Sequence, residues 1–240
     1  MPLASEASAD NSCINCHKNP AYFAQYPKLH EYYQQWTASP HKEAGVTCDD
    51  CHGGDASAEE IENAHMGVLH MNDRQSALHY QRQPDTCGQC HRDKQRQFVQ
   101  SKHFTALVAE RTAPTCSTCH PAMSRRPELR NIVLNACRTC HVEGNADNLP
   151  LIADDAEHIF NQLNIASGLL GWTRIHFESQ DWPNGSQDRV EDLEARYEAI
   201  VDHVHQFDLQ QTADEAADIL GALREIFEEA RSARERQDQG

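Results

Sequence analysis

Five copies of Cys-X-X-Cys-His use every one of the ten cysteines in this 240-residue chain. They run Cys13/Cys16/His17, Cys48/Cys51/His52, Cys87/Cys90/His91, Cys116/Cys119/His120 and Cys137/Cys140/His141. Two thiols separated by two residues, with a histidine directly behind, form the attachment pattern of c-type haem. The sulfurs add across the two porphyrin vinyl groups, and the imidazole lies under the iron as its proximal ligand. A chain bound in this way to five large apolar plates must fold around them.

Other uses of paired thiols fit poorly. Zinc sites combine two cysteine pairs, or a pair with two spaced histidines, and require no histidine behind every pair. Disulfide frameworks require none either, and iron–sulfur clusters take differently spaced thiolates. The chain reads as a pentahaem cytochrome c with five covalent haems. The ten cysteines bind porphyrin, and His17, His52, His91, His120 and His141 are the proximal ligands.

The 39 % hydrophobic and 7 % aromatic content is low for a core of this size. Covalent porphyrin makes up the shortfall, so the first 145 residues are not expected to fold without it. Haem is attached to such motifs outside the cytoplasm, yet residues 1–12 are polar and lack an apolar export segment. The expectation is a flexible N-terminus at 1–12 left after removal of a signal peptide, in a periplasmic or extracellular protein. No run of eighteen apolar residues is present to span a membrane.

Charge is uneven. Residues 1–147 carry 14 Lys+Arg against 17 Asp+Glu, and residues 148–240 carry 7 against 20; the nets of −3 and −13 make up the total of −16. Nucleic acid is a poor partner for such a chain, and a redox protein with a basic docking face is a suitable one.

The expected fold is mainly α with almost no β-sheet. A pentahaem domain of short irregular helices is read over 13–148 and an acidic helical domain over 149–240. Motif starts are separated by 35, 39, 29 and 21 residues, too uneven for a strict repeat. Five motifs in so short a span place the porphyrins near one another. Beyond Pro150 the apolar spacing predicts helices over about 151–178, 187–207 and 212–236. Gly171-Trp172 is read as a break in the first, and Asp181-Trp-Pro-Asn-Gly-Ser as a loop. Thr212-Ala-Asp-Glu215 is read as a capping box opening the third. The second and third are expected to pair as an antiparallel hairpin, with a homo-oligomer seal as the alternative.

Ten histidines lie outside the motifs, enough to give every iron a sixth ligand. His41, in Trp36-Thr-Ala-Ser-Pro-His, and His103, in Phe98-Val-Gln-Ser-Lys-His, both follow Ser-x-His with an aromatic five positions upstream. The repetition points to one structural device used twice. His65, His79 and His176 complete the set of distal candidates. His30, His70 and His158 are weaker ones, and His203 and His205 are read as surface or hydrogen-bonded imidazoles.

Trp36-x-x-Ser-x-His41 before Val46-Thr-Cys-Asp-Asp-Cys-His-Gly, and Cys87-Gly-Gln-Cys-His with Ser101-x-His103, resemble the multihaem cytochrome c superfamily. That group includes pentahaem nitrite reductases, octahaem hydroxylamine oxidoreductases and tetrahaem electron-accepting relatives, and the likeness covers residues 11–145. It implies haems stacked as parallel and perpendicular neighbours in a conductive row. The nitrite reductases usually carry Cys-X-X-Cys-Lys at the catalytic haem, whereas all five motifs here end in histidine. The hydroxylamine oxidoreductases have eight haems. No catalytic residue is therefore assigned, and an electron carrier between redox partners is the leading reading. The competing reading is an oxidoreductase for a small nitrogen or sulfur compound at one open iron. The fourth haem is its first candidate, because no histidine lies between His120 and Cys137 and Arg125 and Arg126 follow nearby. Intact mass spectrometry of the purified protein is expected to show the polypeptide plus five haem additions. A smaller number would leave a cysteine pair to another use.

Overall fold

A single turn carrying two sulfurs and an imidazole is too short to be a stable helix in isolation, because nucleation costs more than one turn returns. The chain supplies caps at these turns. Asn11 accepts the amide of Ile14 through Oδ1 at 3.1 Å and opens the helix Ser12–His17. Asp50 Oδ2 accepts the amide of Thr47 at 2.7 Å ahead of Cys48–His52. Thr118 Oγ1 accepts the amide of Thr115 at 3.0 Å ahead of Cys116–Cys119. Caps of this kind contribute about 1 kcal/mol each.

The computed structural model describes residues 11–23, 26–120, 135–142, 152–177 and 185–238. The loop expected at Asp181 to Ser186 falls mostly outside these, as do the N-terminal residues 1–10 and the stretch 143–151. Asn11 and Ser12, read as part of a flexible terminus, instead belong to the ordered fold. Asn11 is buried, and Ser12 donates its amide to the carbonyl of Ala56 at 2.8 Å.

Among the described residues the chain is helical, with no strand, as the composition and spacing led one to expect. It divides into two compact units. One comprises Met1–Gln95 with His103–Ala136, and the other Arg96–Lys102 with Cys137–Gly240. The sequence reading drew its boundary at 148, whereas here the fifth motif, Cys137 to His141 with Cys140 inside it, groups with the long helices. Arg138, in that motif, forms ion pairs with Glu157 and, at 3.8 Å, with Asp154 on the first long helix.

The first unit is built of short helices such as Pro27–Thr37, Pro40–Glu43 and Ile61–Ala64, joined by tight turns. Protein atoms alone give it little interior. Among its described residues the buried hydrophobic side chains other than proline are Ile14, Trp36 and Leu107. Tyr26, Tyr32, Ile61, Met66 and Met71 are each more than half exposed.

The second unit has an ordinary apolar core. Helices Ile152–Phe177, Ser186–His203 and Leu209–Asp238 bury Ile159, Leu163, Ala166 and Leu170 against Val190, Leu193 and Ile200, and both against Ala216, Ile219, Leu223 and Ile226. Alternating steps of three and four on each helix give the seam of a helical bundle. The last two helices run antiparallel, because Arg189 pairs with Glu229 (2.7 Å), Arg196 with Asp218 (3.9 Å) and His203 with Glu215 (3.6 Å) in descending order. The expected hairpin is thus two sides of a three-helix core.

Three details differ from the sequence reading. The first long helix passes through Gly168 and Gly171 without a break. Each glycine costs about 1 kcal/mol, and the buried row through Leu170 and Thr173 outweighs that. The second helix ends at His203, with a 3-10 turn Val204–Gln206 and Phe207 in the left-handed region at φ 60°. The third starts at Leu209, because Asp208 is the effective cap and accepts the amide of Gln211 at 3.0 Å. Thr212 is buried inside that helix, where its hydroxyl donates to the carbonyl of Asp208 at 2.7 Å. Leu223→Ala, at a fully buried seam position, is expected to cost about 2–5 kcal/mol. Chemical denaturation of the holoprotein followed by helix circular dichroism reads the loss.

Candidate functional site

Each motif folds as one α-helical turn. The amides of His91, His120 and His141 donate to the carbonyls of Cys87, Cys116 and Cys137, each at 2.9 Å. The first two motifs lie within the helices Ser12–His17 and Cys48–His52. Positions one, four and five of such a turn share a face, so both sulfurs and the imidazole point the same way.

All ten cysteines are among the described residues, and none is joined in a disulfide. Nine of them are partly buried and Cys90 is exposed. Cys16 and Cys140 are the second thiols of the first and fifth motifs, and both belong to the partly buried set. The carbonyl of Cys16 accepts the amide of Asn19 at 3.0 Å, which closes the chain behind the first turn. The carbonyl of Cys140 accepts the amide of Val142 at 3.0 Å, and its sulfur lies 3.8 Å from Thr139 Oγ1. Both sulfurs thus sit at the end of a closed turn, without deep burial by protein atoms.

Four of the motifs lie side by side in the first unit. Burial, then the nearby charge of Cys13, pushes the Cys48 thiol up to about 11. Burial, then Cys87, raises Cys51. Cys87 is raised above all by a hydrogen bond with Cys116, which is lowered by the same contact. The first motif thus neighbours the second, the second the third, and the third the fourth. Asn11 Nδ2 also donates to Asp49 Oδ1 at 2.9 Å, tying the first motif to the second. In the second unit, burial raises Cys137.

Three of the proximal imidazoles, His17, His52 and His91, are pushed toward the neutral form. Burial lowers His17, helped by the charges of His65 and His52; burial alone lowers His52; and burial, then His41, lowers His91. A neutral imidazole is the form that ligates a metal.

Two pairs of histidines face each other. The rings of His17 and His65 have centres 6.2 Å apart, and those of His41 and His91 are 6.1 Å apart. His65 Nδ1 lies 2.8 Å from the carbonyl of Ile61. A carbonyl only accepts, so Nδ1 carries the proton and Nε2 keeps its lone pair. Such a backbone bond commonly fixes the tautomer of a metal-bound histidine.

His41 stands on a built platform. Ser39, fully buried, donates its hydroxyl to the carbonyl of Trp36 at 2.7 Å and caps the helix Pro40–Glu43. Trp36 Nε1 donates to the carbonyl of Val46 at 2.9 Å, and the Val46 amide to the carbonyl of His41 at 2.9 Å. The second phrase folds alike: Ser101 N donates to the carbonyl of Phe98 at 2.9 Å, as Ser39 N does to that of Trp36. Ser101 is buried and His103 follows it on the helix Lys102–Val108.

His79 is buried, and its Nδ1 has no hydrogen-bond partner. The side chain of His176 lies outside the described residues, as do Arg125 and Arg126. His30 is bonded to Gln34 Nε2 at 2.8 Å, and His203 faces Glu215. The capping roles of Asn11, Asp50 and Thr118 escaped the sequence reading, although a polar residue two places ahead of the first cysteine, or just ahead of the second, is a visible signal.

Residues 2–53 match the family model of cytochrome c554 and c-prime. The chain is 29 % identical over 140 residues to the multiheme cytochrome MtrA of Shewanella baltica, covering 57 % of this chain and 39 % of that protein. It is also 29 % identical over 120 residues to the C-type polyheme cytochrome OmcB of Geobacter sulfurreducens, covering 46 % of this chain and 14 % of that one. It therefore spans well under half the length of either relative. No solved structure matches it. The family model and both relatives support a multihaem c-type cytochrome.

Covalent haem c is its cofactor, and the cytochrome's residues fit that group. Paired sulfurs and an imidazole share one face of each turn, and large apolar side chains such as Ile61, Met66 and Met71 are exposed in the same unit as four of the turns. Two imidazoles bound to opposite faces of one iron, each about 2 Å from it, have ring centres about 6 Å apart. The two histidine pairs meet that separation. No described helix is long and apolar enough to cross a membrane.

Proposed function

We propose that this cytochrome carries five haems and relays electrons along them between redox partner proteins outside the cytoplasm. The observation that carries this reading is the pair of histidine couples at iron-spanning distance within a unit whose four motifs adjoin in chain order. Bound haem supplies a one-electron iron couple. The protein's part is to hold both axial positions with imidazoles, which closes the iron to substrate and fits a carrier better than an enzyme.

In this reading Cys13 and Cys16 hold the first haem, Cys48 and Cys51 the second, and Cys87 and Cys90 the third. Cys116 and Cys119 hold the fourth, and Cys137 and Cys140 the fifth. His65 is the distal ligand of the first haem, opposite His17, and His41 that of the third, opposite His91. His79 and His103 serve other irons of the first unit, and His176 remains the candidate for the fifth. His41, only seven residues before Cys48, thus serves the motif beyond its neighbour. The long acidic helices suit a partner with a basic docking face, and they offer the surface for a homo-oligomer.

His65→Ala and His41→Ala test the assignment. Each is expected to convert one low-spin haem to high spin in the electron paramagnetic resonance spectrum of the oxidised protein, with carbon monoxide binding on reduction. Unchanged low-spin intensity in both variants would remove the pairing.

A further inference from the structure

The two facing histidine pairs are set at different twists. The ring planes of His17 and His65 lie 26° apart, and those of His41 and His91 lie 68° apart. With one iron between two imidazoles, the iron–nitrogen axis lies in both ring planes. The interplanar angle is then the twist of one ligand against the other. The chain fixes it from both partners. His65 Nδ1 is bonded to the carbonyl of Ile61 at 2.8 Å, which sets that ring against the helix Ile61–Ala64. His41 rides on the helix Pro40–Glu43, which buried Ser39 caps, and its carbonyl accepts the amide of Val46 at 2.9 Å. His17 and His91 are each set by the turn of their own motif. The amide of His91 donates to the carbonyl of Cys87 at 2.9 Å, and His17 ends the helix Ser12–His17. Hydrogen bonds behind a metal's ligands commonly hold ring orientation in this way.

We propose that these twists order the two haems in potential: the crossed pair His41 and His91 makes the third haem the acceptor, and the near-parallel pair His17 and His65 makes the first haem the donor. The inference rests on the reading above, in which these pairs ligate the first and third irons. Each imidazole donates from its ring π system into the iron d orbital that lies across its plane. Near-parallel rings both raise the same orbital and split it from its neighbour. Ferric iron keeps its vacancy in the raised orbital and is stabilised, whereas ferrous iron fills both orbitals and gains nothing. The first haem therefore holds its ferric form more firmly. Crossed rings raise the two orbitals together and remove that advantage, so the third haem takes an electron more readily. Axial ligation is one of the levers by which a protein tunes a haem. Local charge acts in the same direction. Asp49 is bonded at 2.9 Å to Asn11, the cap of the first motif, while Lys94 is near enough to His91 for its charge to act on the ring. Burial distinguishes the two sites little, because three of their four sulfurs are partly buried and Cys90 alone is exposed. An electron passing between them leaves the first iron ferric and the third ferrous, with no bond made or broken and no proton moved.

The test is electron paramagnetic resonance of the holoprotein during stepwise reduction at controlled potential. A near-parallel pair splits the d orbitals and gives three well-separated low-spin lines. A crossed pair leaves them nearly equal in energy and gives one broad feature at low field. Subtracting the spectrum of His65→Ala from that of the native protein isolates the first haem, and subtracting that of His41→Ala isolates the third. The first is expected to show the three-line form and the third the broad low-field form. Ferrous low-spin iron is silent, so the signal of the third haem is expected to vanish at a higher potential than that of the first. Where an alanine variant does not accumulate, His65→Lys or His41→Lys keeps a nitrogen ligand, removes the ring plane and yields the same subtraction. One line shape for both haems, or loss of the first signal together with or before the third, overturns the ordering. Unchanged low-spin intensity in the variants of both histidines overturns the underlying pairing instead, so the two failures are read separately.

Discussion

The interior of the first unit is missing from its amino acids. Apolar side chains such as Ile61, Met66 and Met71 stand exposed, and few residues between Asn11 and His120 are buried hydrophobics. A unit of this size folded on side chains alone would bury far more apolar surface. The eight thiols of that unit and its paired imidazoles point to covalent haem in its place. Porphyrin anchored at the one-turn helices would supply apolar surface to this unit, and the separation of His17 from His65 and of His41 from His91 leaves room for an iron between them.

The second unit solves the same problem by the opposite means. Its helices have the length that propagation needs, and their three-and-four spacing buries a continuous seam from Ile159 to Ile226. Acidic residues crowd the outside, and the cross-helix pairs of Arg189 and Arg196 are exposed, so they set register more than they add stability. The chain joins a part with little side-chain interior to a part with an apolar core of its own.

Local periodicity and motif chemistry were legible in the sequence; long-range pairing was not. The Cys-X-X-Cys-His turns are visible locally, and the heptad-like rows of Val190, Leu193 and Ile200 announce their helix. That Cys137 and Cys140 group with the long helices, while Cys13 and Cys16 lie beside the second motif, is written in no spacing. The third helix was read one turn late because Thr212-x-x-Glu215 looks like a cap, while Asp208 performs that task from a position with no such pattern. The first helix looked interrupted because a glycine penalty is visible locally and the compensating burial of Leu170 is not. The Ser-x-His device was visible because it is local. That His41 lies against His91, two motifs onward, follows from how the short helices pack. The bond from the Ser117 amide to Gln83, which joins the fourth motif to the third, was hidden for the same reason.

The account turns on porphyrin as the interior of the first unit, and hydrogen exchange on protein produced without haem attachment tests it most directly. The account predicts that amides over residues 11–120 exchange at the rates of an unfolded chain, while those of the three long helices stay protected. Native-like protection across the motif-bearing residues in haem-free protein would contradict it.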